Sequence, residues 1–264
     1  DLRMSRGLGD VYKRQYIISP QSKTIFIYNY LGEFIDRIIL DFTPWMIQKS
    51  NKKILFYNNR FNRIDKNKNV KELYLTNDKG NIMDSLPTTI DDKSMDMLLL
   101  EMPFFYQYKA GIFYKNPLSD LVYKISIPLS IKPIYEIYTG PVRRSKNDFK
   151  NMEKLSQMIS VRNIIESDKS IMIVFAYKGN FFNIWFDKKS KSALNVKNTY
   201  PGFIDNITNG PDILPYWQSS SSESVFISLL TIEYLEKYPI KIKGDFFRKE
   251  TIDSNPVLAI VKLK

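Results

Sequence analysis

The sequence contains neither cysteine nor histidine. The first absence excludes disulfide scaffolds, thiolate metal sites and cysteine nucleophiles. The second removes the commonest general base and the commonest metal ligand. Glycine is sparse, with 10 in 264 residues. No apolar run reaches the roughly 18 residues that a membrane-crossing helix needs. What the chain does have is a hydrophobic fraction of 44% and an aromatic fraction of 14%. That is ample for a packed core and too apolar for a disordered chain.

Residues 1–15, DLRMSRGLGDVYKRQ, stand apart from the rest. They show no apolar periodicity and lack the apolar stretch of about 7–15 residues that a signal peptide carries. They resemble a translated adapter sequence and are set aside as a non-native leader. Residues 16–264 are then one domain, with its own beginning and any targeting signal expected further upstream.

The net charge of +11 permits nucleic-acid or anionic-surface binding. However, the lysines are scattered, and the densest cluster, Arg143, Arg144 and Lys146, reads as a solvated loop. No helix-turn-helix, RNA-binding aromatic pattern or zinc spacing accompanies the charge, so nucleic acid is not an expected partner.

Short strands dominate. Thr24–Tyr30 and Phe34–Leu40 flank a glycine-containing turn, Leu31-Gly32-Glu33. A second group has strands near residues 45–48, 53–57, 72–76 and 81–84, with Asn77-Asp78-Lys79-Gly80 as a turn. A third group runs through residues 104–108, 111–114, 121–125 and 131–137. A fourth runs through 161–166, 170–177, 181–187 and 192–196. Groups of about four strands repeating every roughly 40–50 residues predict the blades of a β-propeller, all-β, with about four blades visible. Two segments carry helical spacing instead: Asn147 to Met158 and Ser224 to Tyr238.

Four stretches carry a resemblance. They are Gly111–Tyr114 with Asp120–Ile125, Ile165–Lys169 with Phe175–Gly179, Ile204–Asn206 with Gly210–Pro215, and Asn255–Leu258 before Lys262–Lys264. In this order they resemble the six-bladed β-propeller proteins abundant in Bacteroidota, a family largely without assigned function. Asn209-Gly210 stands where that family usually has Gly-Gly. The resemblance implies one or two further N-terminal blades. It also implies a periplasmic or outer-envelope location, with membrane contact only through an N-terminal lipid anchor outside this sequence.

An enzyme built from these residues would rely on carboxylates, as glycoside hydrolysis does with two of them about 5–9 Å apart. Asp205 and Asp212 flank one turn, and Glu166 and Asp168 flank another. Local capping of turns is the simpler use for such residues. Asp91, Asp92 and Asp96 offer oxygen ligands without EF-hand spacing, so no metal or cofactor is expected. Tyr216 and Trp217, beside the serine run Ser219–Ser222, are the candidate ligand-binding aromatics. The reading is a non-catalytic binding propeller whose ligand is a glycan, a peptide or a partner protein. An envelope hydrolase or lyase acting on glycans is the first alternative and a structural scaffold the second.

Overall fold

The computed structural model describes residues 8–9, 14–50, 52–58, 71–87, 103–116, 119–142, 151–196, 217–218, 225–230 and 257–262. Among these, the chain forms five antiparallel sheets in sequence order. The first holds β1 (Leu8–Gly9), β2 (Gln15–Ser19), β3 (Thr24–Tyr28) and β4 (Phe34–Ile39). The second holds β5 (Pro44–Ser50), β6 (Lys53–Asn58), β7 (Leu73–Asn77) and β8 (Ile82–Leu86). The third holds β9 (Phe104–Tyr108), β10 (Gly111–Lys115), β11 (Leu121–Ser126) and β12 (Ser130–Glu136). After the short helix α1 (Met152–Ser156) comes the fourth, with β13 (Ser160–Glu166), β14 (Ser170–Tyr177), β15 (Asn180–Asp187) and β16 (Ser192–Val196). Within each sheet every strand pairs with the next in sequence. The architecture is therefore all-β, built from the blades of a β-propeller.

Two expectations need correction. The fifth sheet, β17 (Trp217–Gln218), β18 (Val225–Leu230) and β19 (Val257–Lys262), was not anticipated, because its strands are far apart in sequence and form no contiguous group. The segment Ser224 to Tyr238 does not begin as a helix: Val225–Leu230 is a strand. Phe226, Ser228 and Leu230 are buried, while Ile227 and Leu229 are not. That alternation has a period of two, and the β-branched Val225 and Ile227 favour it over a helix. Of the other helical segment, Met152–Ser156 is a helix, α1, whose start is capped by the Asn151 side chain accepting from the Lys154 N–H at 3.0 Å, and residues 147–150 lie outside the described residues. Leu8 and Gly9, inside the segment set aside as a leader, pair with Tyr16 and Gln15.

The chain falls into two compact units, residues 1–105 with 114–137 and residues 106–113 with 138–264. In the first, Tyr16, Ile25, Ile27, Ile38 and Leu40 pack with Ile47, Ile54 and Phe56. In the second, Ile165, Met172, Val174 and Phe226 form a core against Trp185.

The blade repeat in the first unit is written in its turns. Asn29-Tyr30-Leu31-Gly32-Glu33 joins β3 to β4, and Asn77-Asp78-Lys79-Gly80-Asn81 joins β7 to β8. Asn29 Oδ1 accepts from the N–H of Leu31 and of Glu33, both at 2.9 Å. Asn77 Oδ1 accepts from Lys79 and Asn81, both at 3.0 Å. Each turn closes through a glycine in the left-handed region, Gly32 at φ +83° and Gly80 at φ +86°. Asp36 and Asp84 follow at the same offset, and each accepts from the next backbone N–H, at 2.7 and 2.8 Å. With glycine scarce, lysine takes the left-handed position elsewhere, at Lys23, Lys109, Lys178 and Lys191.

These turns also join one blade to the one before. A Cβ on Gly80 would overlap Ile38 Cγ2 and lie 3.3 Å from Leu40 Cδ2, so the β7–β8 turn rests directly on β4 and the residues after it. The β11–β12 turn does the same one repeat on: buried Leu129 donates its N–H to Asp84 Oδ2 of β8 at 2.8 Å. Gly80→Ala should therefore destabilise the protein by about 3 kcal/mol, combining left-handed strain with overpacking. Gly32→Ala, with nothing within 4 Å of the new methyl group, should cost about 1 kcal/mol. Denaturant titration of the two variants measures the difference.

Candidate functional site

The densest constellation of chemically capable side chains lies where β13 turns into β14. Ser167 fixes that turn: its N–H donates to Ser170 O at 2.8 Å, and its Oγ accepts from the Ser170 N–H at 3.0 Å. Glu166 and Asp168 stand on either side of Ser167. Facing them, alternate residues of β9, Tyr106 and Tyr108, point the same way, as strand geometry requires. Tyr106 donates to Glu166 Oε2 at 3.0 Å, and Tyr108 donates to Asp168 Oδ1 at 2.5 Å.

Two lysines complete the arrangement. Lys188, just beyond β15, donates to Glu166 Oε1 at 2.6 Å, and its ammonium lies 4.3 Å from the centre of the Tyr108 ring. Its backbone N–H is anchored on Lys169 O at 2.8 Å. Lys109 reaches Asp168 Oδ1 at 2.5 Å. The result is a two-rung ladder with unequal exposure. Glu166 has no exposed side-chain surface, whereas Asp168 is 60% and Lys109 57% exposed. Tyr106 stacks on Phe113 with centroids 4.9 Å apart and planes 14° apart, which sets the depth of the inner rung.

Electrostatics follow from this packing. Burial, then the hydrogen bond to Asp168, raises the Tyr108 phenol above its ordinary value. The hydrogen bond to Asp168 is the main cause holding the Lys109 ammonium well above the lysine range. A second buried polar node lies in the other unit, where Glu72 Oε1 accepts from the Tyr114 hydroxyl and, at 2.8 Å, from Asn116 Nδ2. Tyr114 is wholly buried, and that burial, with the Glu72 charge next, pushes its phenol far upward.

This arrangement limits the chemistry. Both oxygens of Glu166 are engaged and no solvent reaches it, so a sugar could not approach it as a general acid would require. Glu166 and Asp168 thus come together as structural partners of two tyrosines. Asp205, Asp212 and Tyr216 lie outside the described residues. Trp217 sits on β17 opposite Ile227, and its side chain is likewise outside them. The same holds for Asp91, Asp92, Asp96, Arg143, Arg144 and Lys146. Among the described residues, no three His, Cys, Asp or Glu side chains group as metal ligands. The sequence marks Tyr106 and Tyr108 as alternating strand aromatics, to be core or to stack on a ligand, but gives no hint of their carboxylate partners, and it leaves Lys188 and Glu72 unmarked; the matching two-residue spacings of Tyr106/Tyr108 and Glu166/Asp168 are the available signal.

The family model described as "Domain of unknown function (DUF4934)" matches residues 7–262. A Bacteroides fragilis protein described as exported has a similar structure, with a TM-score of 0.67 and 14% identity, covering 98% of this chain and 77% of that one. A DUF4221-family protein of Bacteroides vulgatus is similar at a TM-score of 0.50 and 9% identity, covering 96% and 76%. At such identities the likeness is one of fold. No curated protein sequence matches the chain.

Replacing Glu166 with Gln should cost about 3–5 kcal/mol, because it leaves the Lys188 ammonium beside a buried neutral group. Asp168→Asn, at an exposed pair, should cost far less. Tyr108 and Lys109 both bind their protons more tightly in the folded chain. Their contribution is therefore complete below about pH 10 and lost as pH rises through the raised values. Melting curves across that alkaline range should fall more steeply for the wild type than for Asp168→Asn.

Proposed function

This chain belongs to the DUF4934 family, and on that footing we propose that it is a non-catalytic binding propeller of the bacterial cell envelope, six-bladed in its complete form. The observation that carries the non-catalytic reading is the ladder at Glu166 and Asp168. The carboxylates that stand together in the described residues are committed to lysine and tyrosine, and the inner one is sealed from solvent. The blade architecture supports a ring that offers loops at its faces for a glycan, a peptide or a partner protein. The exported description of the Bacteroides fragilis protein supports an extracytoplasmic location, in keeping with the envelope resemblance of the motifs.

Tyr216 and Trp217 are the assigned ligand contacts. Trp217→Ala should abolish retention on the cognate glycan or protein in an envelope-component binding screen, with the melting temperature nearly unchanged. A large fall in melting temperature would instead make Trp217 a core residue and remove the assignment. Turnover of an envelope glycan that is lost in Asp205→Asn or Asp212→Asn, with the fold intact, would replace the binding reading with the enzymatic one.

A further inference from the structure

Ser170, Asp187 and Ser192 stand in one line across β14, β15 and β16, each paired with the next. One residue beyond that line, toward the turns, are Lys169, Lys188 and Lys191. The ladder runs on into this row, because the Lys188 N–H donates to Lys169 O at 2.8 Å. Three lysines thus cross one end of the fourth sheet on adjacent strands, spaced about 4.8 Å from strand to strand. Like charges set opposite each other across strands oppose pairing, so the row does not serve the sheet. The β14–β15 turn, at the opposite end, has one lysine, Lys178.

The carboxylates at this end are too few to neutralise the row. Glu166 takes Lys188, and Asp168 takes Lys109. Asp187 accepts from the Ser190 N–H at 2.6 Å and from Ser190 Oγ at 2.8 Å, and these bonds, with the Lys189 charge, hold its carboxyl below the usual carboxylate range. Lys169 and Lys191 are exposed and, among the described residues, make no ion pair. They are surplus charge, and the exposed Ser190 and Ser192 stand beside Lys191.

The surroundings select the ligand. Two surplus cations about 10 Å apart suit charges repeated along an extended chain better than one small anion. The exposed residues of the β9–β10, β13–β14 and β15–β16 turns are lysine, serine, aspartate and alanine, with nothing apolar enough to enter a bilayer. The Tyr108 ring is engaged by the Lys188 and Lys109 ammoniums, at 4.3 and 5.3 Å, and is poorly placed to stack on a nucleic-acid base. We propose that this end of the fourth sheet binds an acidic polysaccharide, with Lys169 and Lys191 on its anionic groups and Ser190 and Ser192 on its hydroxyls. The inference rests on the binding reading above and narrows its ligand to one class, through residues other than Trp217.

Biolayer interferometry of the 264-residue chain on immobilised polygalacturonate and heparin tests this, with neutral dextran as the blank. The wild type should bind the charged polymers, less so as salt rises, and ignore dextran. Preference between the two identifies carboxylate or sulfate as the group taken. Lys169→Glu with Lys191→Glu should weaken binding by about tenfold or more. Lys79→Glu with Lys178→Glu changes the net charge equally at exposed positions elsewhere and should leave binding nearly unchanged. Asp168→Asn, which removes an anion beside the row, should tighten it. Circular dichroism and melting curves confirm that each variant is folded. Equal weakening by the two double variants would mean general basicity and overturn the site. Stronger binding to anionic phospholipid vesicles through the same lysines would overturn it too. A wild type that binds neither polymer, yet is retained by another envelope component, would overturn this site and leave the binding reading standing.

Discussion

A four-stranded antiparallel sheet cannot shield both of its faces, and everything else in this molecule answers to that constraint. Each blade is too thin to hold a core by itself, so stability comes from what lies against it. In the first unit the contact is made twice by the same device: a turn between third and fourth strands set down on the outer strand of the neighbouring sheet. Gly80 lies so close to Ile38 that a single methyl group would not fit, and Asp84 accepts from the N–H of buried Leu129. The apolar cluster running from Ile25 to Phe56 across two sheets is the product of that close approach.

Polar groups inside such a structure are held to a stricter standard than those outside. Glu166 and Glu72 are both shut away from water, and each is met by a tyrosine and by a nitrogen donor. Low polarity strengthens those hydrogen bonds and at the same time makes any broken one expensive. The carboxylates of the fold therefore act as fasteners between strands, with Lys188 serving one of them through its charge while covering the face of Tyr108.

Much of this was legible in the sequence, for identifiable reasons. The strands of the second, third and fourth sheets follow one another closely, so alternation and turn residues marked them within a residue or two at most ends. The fifth sheet was hidden because β18 and β19 are separated by a long stretch of chain and no local signal links them. The Val225–Leu230 strand reads as helix because Leu229 and Leu230 run on into Ile232, Tyr234 and Leu235, with Pro239 as an apparent stop. The ladder was half visible. Glu166 and Asp168 were singled out as a pair flanking a turn, yet their roles depend on Tyr106, Tyr108 and Lys188, which lie on other strands and are adjacent only once the chain has folded.

The Asn-x-x-Gly turn has a consequence for how this family can change over time. Its asparagine and glycine are set by backbone geometry, while its two middle positions accept side chains of different chemistry. Tyrosine and leucine in one copy of the motif and aspartate and lysine in the other already show the range. Such a turn works as an exchangeable cassette: descendants can acquire, lose or retune a contact there by two substitutions, without disturbing a single strand of the scaffold that carries it.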